Sequence, residues 1–196
     1  PSYCGIQMNT EVNALKKVTS DIKRPITCII GGSKISTKIN VIKNLIPKFE
    51  NIIFVGGMAN SLIEYKGYNI GNSIKENNCD QIIENIFSLA KKNDCKIFFP
   101  LDVAVGKKKE DSALIKELNC IENDDIILDI GPKTIHSINL ILENSKTVLW
   151  NGPAGYFENP NFAVGSIEIA KKIINLKNKI YSVAGGGDTI ALLNKI

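Results

Sequence analysis

Short apolar runs recur along the chain, each closed by glycine or proline and followed by apolar residues spaced three and four apart. Pro25 to Ile30, Asn51 to Val55, Lys96 to Phe99, Asp125 to Ile130, Thr147 to Trp150 and Lys179 to Val183 predict strands. Ile35, Ile39, Ile42 and Ile46 predict a helix opened by Gly31-Gly32-Ser33 and stopped at Pro47. Leu62 and Ile63 follow Gly56-Gly57 in a helix closed by Gly67, and a polar connection from Tyr68 to Asn78 comes next. Further helical faces are Ile82, Ile83, Ile86, Leu89 and Ala90; Ile135, Ile138 and Leu142; and Ile167, Ala170 and Ile174. Strands alternating with helices predict an α/β fold, a three-layer Rossmann-like parallel sheet with helices on both faces. Thr10 caps a further helix carrying Val12, Leu15 and Val18. It precedes the first strand, so residues 1–23 read as a linking region and 24–196 as the sheet-bearing domain.

In such sheets ligands bind beyond the carboxyl ends of the strands. Those ends read Gly-Gly-Ser-Lys, Gly-Gly-Met, Pro-Leu-Asp, Gly-Pro-Lys, Asn-Gly-Pro and Gly-Gly-Gly-Asp. That is more glycine and proline than connection requires, and it predicts a rim built for close approach. The last of these turns follows a short strand predicted to be buried and precedes a helix started by Asp188 and Thr189. A helix start after a glycine turn suits phosphate, and Asp188 would then face it through Mg²⁺. The same stretch also reads as a tight turn with an Asp cap and no ligand, and on its own it leaves both open.

Composition narrows the chemistry. The 196 residues are 44% hydrophobic and 22% charged, as expected of a globular domain with a full core. No apolar run reaches the roughly 18 residues of a membrane span, and no leader pattern is visible. The chain opens on Pro1 with no initiator Met, which reads as a fragment. Cys4, Cys28, Cys79, Cys95 and Cys120 are scattered, which predicts free thiols in a reducing compartment. The net charge of +4 is spread along the chain, which suits a small anionic ligand and not a nucleic acid. Arg24 is the single arginine and His136 the single histidine. Histidine-led general-base chemistry and arginine-fork recognition are therefore nearly excluded, and a phosphate site in this chain must use lysine, backbone amides and metal.

Lys34 and Lys38 lie four apart, which would put both ammonium groups on one face of the helix after Gly31-Gly32. Neither a P-loop nor a G-x-G-x-x-G fingerprint is present. Taken alone, Glu158 is an ordinary surface carboxylate, Lys107-Lys108-Lys109 a solvated loop, His136 an exposed helix residue and Trp150 a core residue.

The run Val148-Leu149-Trp150-Asn151-Gly152-Pro153-Ala154-Gly155-Tyr156-Phe157-Glu158 resembles the W-N-G-P-x-G-x-F-E signature of the phosphoglycerate kinase family. The likeness extends in order through Ile30-Gly31-Gly32-Ser33-Lys34 with Lys38, Pro100-Leu101-Asp102, Leu128 to Thr134, and Gly185-Gly186-Gly187-Asp188-Thr189. It implies a phosphotransferase with a carboxyl group as acceptor, working between 1,3-bisphosphoglycerate and MgADP to give 3-phosphoglycerate and ATP. By the same resemblance this chain is the nucleotide-binding C-terminal half, truncated at its end. The phosphoglycerate site and its catalytic arginine would lie in an N-terminal domain not in this chain, and the family continues past Ile196 with another Gly-rich segment.

Residue by residue, the resemblance implies that Lys34 and Lys38 contact the phosphates, with Lys34 assisting the transferring group. Asp188 would bind Mg²⁺, Thr189 would meet phosphate, and Asn151 would lie near the phosphates. Pro153 would wall the adenine slot and Glu158 would hold the ribose, with Gly32, Ser33, Gly56, Gly57, Ile74, Leu128, Gly186 and Gly187 completing the ADP/ATP pocket. Val55 and Ile127 depart from the family, which has glycine there, and would narrow the adenine slot; Lys107 to Lys109 replace a more acidic loop. The expected setting is cytoplasmic and glycolytic, with no nucleic-acid or membrane partner, and a monomer when full length. Alternatives are a non-catalytic nucleotide-binding module, half of a split enzyme, or a dehydrogenase-like dinucleotide binder.

Overall fold

The computed structural model describes residues 23–195, so the predicted helix at Thr10 to Val18 lies outside the described residues. The chain runs β1 (Ile26–Ile30), a 3-10 turn (Ser36–Lys38), α1 (Ile39–Leu45), β2 (Asn51–Phe54), α2 (Gly57–Tyr65), α3 (Asp80–Lys92) and β3 (Lys96–Phe98). It continues through β4 (Asp102–Gly106), β5 (Leu114–Glu117), β6 (Ile126–Ile130), α4 (Pro132–Glu143), β7 (Thr147–Asn151), α5 (Val164–Asn175), β8 (Tyr181–Gly185) and α6 (Gly187–Leu193).

A parallel sheet in the order β3-β2-β1-β7-β8 forms the middle layer. Its central strands β2, β1 and β7 are apolar on both faces, and the pleat divides their side chains between two cores. Ile26, Cys28, Ile30, Ile52 and Phe54 pack with Ile42 of α1, Leu62 of α2 and Ile83 and Ile86 of α3. Ile29, Ile53, Val148 and Trp150 pack on the other face with Ile138 and Leu142 of α4, Ile169 and Ala170 of α5 and Leu192 of α6. The register places Phe54, Ile30, Asn151 and Gly185 in one row across the sheet. The turns that leave β2, β1, β7 and β8 therefore emerge at one level, and the site is built there.

Asp125 to Ile130 does not join this sheet, contrary to the expectation from its apolar run. As β6 it pairs antiparallel with β4, which also pairs antiparallel with β5, in a separate sheet of order β5-β4-β6. A parallel strand usually needs an α-helical crossover, and no α-helix lies between Pro100 and Asp125. Val103 and Val105 on one face of β4 meet Ile63 of α2, while Ala104 on the other meets Leu128 and Phe162. The periodicity of β4 and β5 was hidden by the charged loop between them and by Leu114 and Ile115, which are solvent-exposed.

Other expectations are corrected in detail. The strand after Lys179 is the exposed edge strand β8, shifted to Tyr181–Gly185. The buried face of α5 is Ser166, Ile169 and Ala170, and Ile174 is exposed. Its start sets this phase, because Gly165 and Ser166 pack tightly against Asp129 and Ala154. Trp150 is core, His136 is exposed, and Cys28, Cys79, Cys95 and Cys120 are free thiols, as expected. No helix among the described residues is long and apolar enough to cross a membrane.

The two sheets are tied at α4. The buried carboxylate of Asp102 in β4 accepts from Lys133 N at 3.0 Å, from Thr134 N at 2.8 Å and from the Thr134 hydroxyl at 2.7 Å. It thus caps a helix whose local N-cap, Gly131, has no side chain. Asp102→Ala should cost about 2 kcal/mol in urea unfolding, from the lost cap and the stranded buried donors.

Candidate functional site

The sheet changes winding direction between β1 and β7, since α1 covers one face and α5 the other. Such a switch point opens a crevice at the strand carboxyl ends. Here its floor is backbone packed on backbone. Gly31 N donates to Asn151 O at 2.8 Å, and Gly56 N to Ala154 O at 3.1 Å. A Cβ on Gly31 would lie 2.5 Å from Pro153 O, and one on Gly152, which holds φ +101°, would lie 2.5 Å from Gly31 O. Neither position accepts a side chain. Side chains then fix the β7 turn: Trp150 Nε1 donates to Gly152 O at 2.8 Å, Gly152 N donates to the Thr189 hydroxyl at 2.7 Å, and Ala154 N donates to the Ser166 hydroxyl at 2.8 Å.

Above this floor is a cleft of about 470 Å³. Gly32, Ser33, Gly56, Gly57, Ile74, Leu128, Pro153, Glu158 and Asp188, all predicted from sequence, line it together. Ile74 comes from the polar connection after α2. Asn60 Nδ2 donates to Ile74 O at 2.9 Å, and a Cβ on Gly57 would lie 2.7 Å from Ile74 Cγ2. Of the departures from the family pattern, Ile127 lines the cleft. Val55 does not narrow it, because its side chain is fully buried beneath with Ile29 and Ile53.

The remaining predicted residues stand beside the cleft. Lys34 and Lys38 do not share an α-helical face, since α1 starts only at Ile39 and a 3-10 turn spans Ser36–Lys38. Lys34 is exposed, whereas Lys38 is half-buried and its Nζ donates to Gly31 O and Asn151 Oδ1, both at 2.6 Å. Burial lowers the Lys38 pKa from its ordinary value, opposed by the negative charge that Cys28 carries only as a thiolate and by the Asp188 carboxylate. Gly186, the N-cap of α6, holds φ +96° beside Asn151, and Gly187 is exposed. Asp188 is exposed at the start of α6. Thr189 is fully buried with its hydroxyl bound to Gly152, so only its backbone amide faces the helix start.

Other residues at the site were missed in the sequence. Tyr156 and Phe157 line the cleft beside Glu158, and their place in the W-N-G-P run was the available signal. Asp129 also lines it; its carboxylate accepts from Ile130 N and Gly165 N, both at 2.8 Å. Burial pushes the Asp129 pKa up to about 7, against those two donors. The lysine loop is not simply solvated, because Lys107 pairs with Glu122, Asp124 and Asp125 and Lys109 lines the cleft. The sequence marked Lys107 to Lys109 only as replacing a more acidic loop of the family, with no contact assigned to either lysine.

Fold and cleft define a doubly covered α/β domain with a cleft at its topological switch point. The phosphoglycerate kinase family model matches residues 1–196. Phosphoglycerate kinase of Wolbachia pipientis wMel is 42% identical over 99% of this chain and 50% of its own length. That of Francisella philomiragia is 41% identical over 100% of this chain and 50% of its own. The structure of phosphoglycerate kinase from Coxiella burnetii superposes with a TM-score of 0.91 at 34% identity, covering 97% of this chain and 49% of that one. The enzyme from Pyrococcus horikoshii gives 0.78 at 25% identity. The chain belongs to the phosphoglycerate kinase family. It spans about half the length of the curated relatives it matches.

Gly152→Ala should destabilise the chain by about 3 kcal/mol, because positive φ and a backbone collision act together. Gly67→Ala, also at positive φ (+89°) but with nothing within 4 Å, is the control. It should cost about 1 kcal/mol from the backbone conformation alone. Urea denaturation of both variants measures the difference.

Proposed function

We propose that this chain is the nucleotide-binding half of a phosphoglycerate kinase, which transfers a phosphoryl group reversibly between 1,3-bisphosphoglycerate and MgADP. The observation that carries this reading is the convergence of Gly32, Ser33, Gly56, Gly57, Ile74, Leu128, Pro153, Glu158 and Asp188 on one cleft at the strand carboxyl ends. Adenine would lie between Gly56-Gly57 and Leu128-Pro153, with Glu158 accepting from the ribose. The phosphates would extend toward Lys34, Lys38, Asn151 and the Gly186-Gly187 turn, where Thr189 offers its amide.

Phosphoryl transfer asks a protein for positioning and charge stabilisation more than for a strong base, which fits a site without histidine. Lys38 spends two donors on Gly31 O and Asn151 Oδ1 and keeps a third for a phosphate oxygen. Those contacts hold its ammonium still before any ligand arrives. Lys34, exposed and outside the cleft, has the reach to follow the transferring group. Asp188 offers one exposed carboxylate, and Mg²⁺ commonly takes one or two carboxylates together with phosphate oxygens and water. When bound, the metal would neutralise phosphate charge. Arg24 is paired with Glu50 at the amino end of β1, away from this rim, so arginine assistance would have to come from the phosphoglycerate-binding half. We further propose that the chain alone binds nucleotide without turnover, in a cytoplasmic, glycolytic setting.

Calorimetric titration with ADP tests the assignment. Magnesium should strengthen binding by about tenfold, and Asp188→Asn should abolish that gain while leaving metal-free affinity nearly unchanged. Equal affinity of wild type and variant, with and without metal, would overturn the metal role.

A further inference from the structure

The three lysines between β4 and β5 have different surroundings. Lys107 is held by Glu122 and Asp125, each at 2.9 Å, and by Asp124, and these partners raise its pKa. Lys108 is exposed and contributes its backbone amide, which donates to Asp111 Oδ2 at 2.7 Å. Lys109 instead lines the cleft, with its ammonium 4.9 Å from the centre of the Tyr156 ring.

The segment carrying Lys109 is fastened in place. Asn159 Nδ2 donates to Lys109 O at 2.7 Å and Asn161 Nδ2 to Asp111 O at 3.2 Å. Among the described residues that line the cleft, Lys109 is the one cation; the other charged groups are Asp129, Glu158 and Asp188. The same cleft is lined by the apolar Ile126 and Ile127. An ammonium resting on an aromatic face directs part of its N–H donors away from the ring. Lys109, Tyr156 and Glu158 come from the β4–β5 loop and the segment after β7, whereas Asp188 and the glycine turns belong to the parallel sheet.

We propose that Lys109 is a nucleoside contact, donating a charge-assisted hydrogen bond to an acceptor atom of the base or ribose, at the end of the ligand away from its phosphates. This rests on the reading of the cleft as an adenine-nucleotide site. Lys109 then gives the base end an orienting donor that the apolar walls lack.

The test is titration of the wild-type chain, Lys109→Ala, Lys109→Met and Lys108→Ala with ADP and with adenosine. Lys109 is exposed, so each variant should keep the wild-type circular dichroism spectrum. Lys109→Ala and Lys109→Met should weaken ADP and adenosine by the same factor, about fivefold, and Lys108→Ala should change neither. Wild-type affinity in Lys109→Ala would overturn the proposal. A loss confined to ADP and shared by Lys108→Ala would also overturn it, as a general charge effect. Recovery in Lys109→Met would assign the contact to the aliphatic stem and overturn the hydrogen bond. A folded wild-type chain that binds neither ADP nor adenosine would overturn the nucleotide reading, and this proposal with it.

Discussion

The site depends first on the contact between the turns after β1 and β7. Gly31 and Gly152 meet backbone to backbone, so neither can carry a Cβ. This contact sits at the switch point, where the chain leaves adjacent strands for opposite faces of the sheet. Were the turns held apart by a methyl group, the ladder from Ile30 to Asn151 would have to open at its carboxyl end. The groups around the contact depend on it. Gly31 O and Asn151 Oδ1 are the acceptors that orient Lys38, and Thr189 binds Gly152 N and so anchors the start of α6. Glycine here is a packing requirement before it is a ligand-binding one.

The second dependence is on the antiparallel sheet. It covers no large core of its own; it reaches the parallel sheet through Ile63 of α2 and through the Asp102 cap on α4. Its β6 supplies Ile126, Ile127 and Leu128 to the cleft, and its β4–β5 loop supplies Lys109. The parallel sheet thus carries the glycine turns, Asp188 and Lys38, while the antiparallel sheet carries an apolar wall. That division suits a ligand polar at one end and flat and apolar at the other. It also leaves the chain with few cations committed to the site, since surface lysines such as Lys133 and Lys172 are paired with Glu117 and Glu143.

The parallel sheet was legible in the sequence because its central strands are apolar on both faces and each strand is bounded by glycine or proline. The cleft was legible for the same reason: Gly32, Gly56, Gly57 and Pro153 sit at strand ends, and a shared register brings them level. The antiparallel sheet was not, since β4 has five buried residues with no polar alternation and β5 is exposed over most of its length. The strand at Asp125 looks like a parallel-sheet strand, and only its partner distinguishes it. Lys34 and Lys38 were misplaced because their spacing matches an α-helix, whereas the backbone there makes a 3-10 turn after a glycine pair in which Gly32 holds φ +137°. Val55 shows the same limit: it follows β2 at the rim, yet the pleat turns it into the core. Side-chain direction at a strand end depends on one residue of register, which composition does not record.

The most direct test of the account is where an adenine nucleotide binds on this chain. Amide chemical-shift mapping with MgADP would locate it. The account predicts the largest shifts at Gly32, Gly56, Gly57, Leu128 and Glu158, with smaller ones at Asn151 and Gly186. The pocket at the opposite end of the strands, lined by Glu50, Lys96 and Ser137, should be unmoved. Shifts confined to that opposite pocket, or none in a folded chain at saturating MgADP, would contradict it.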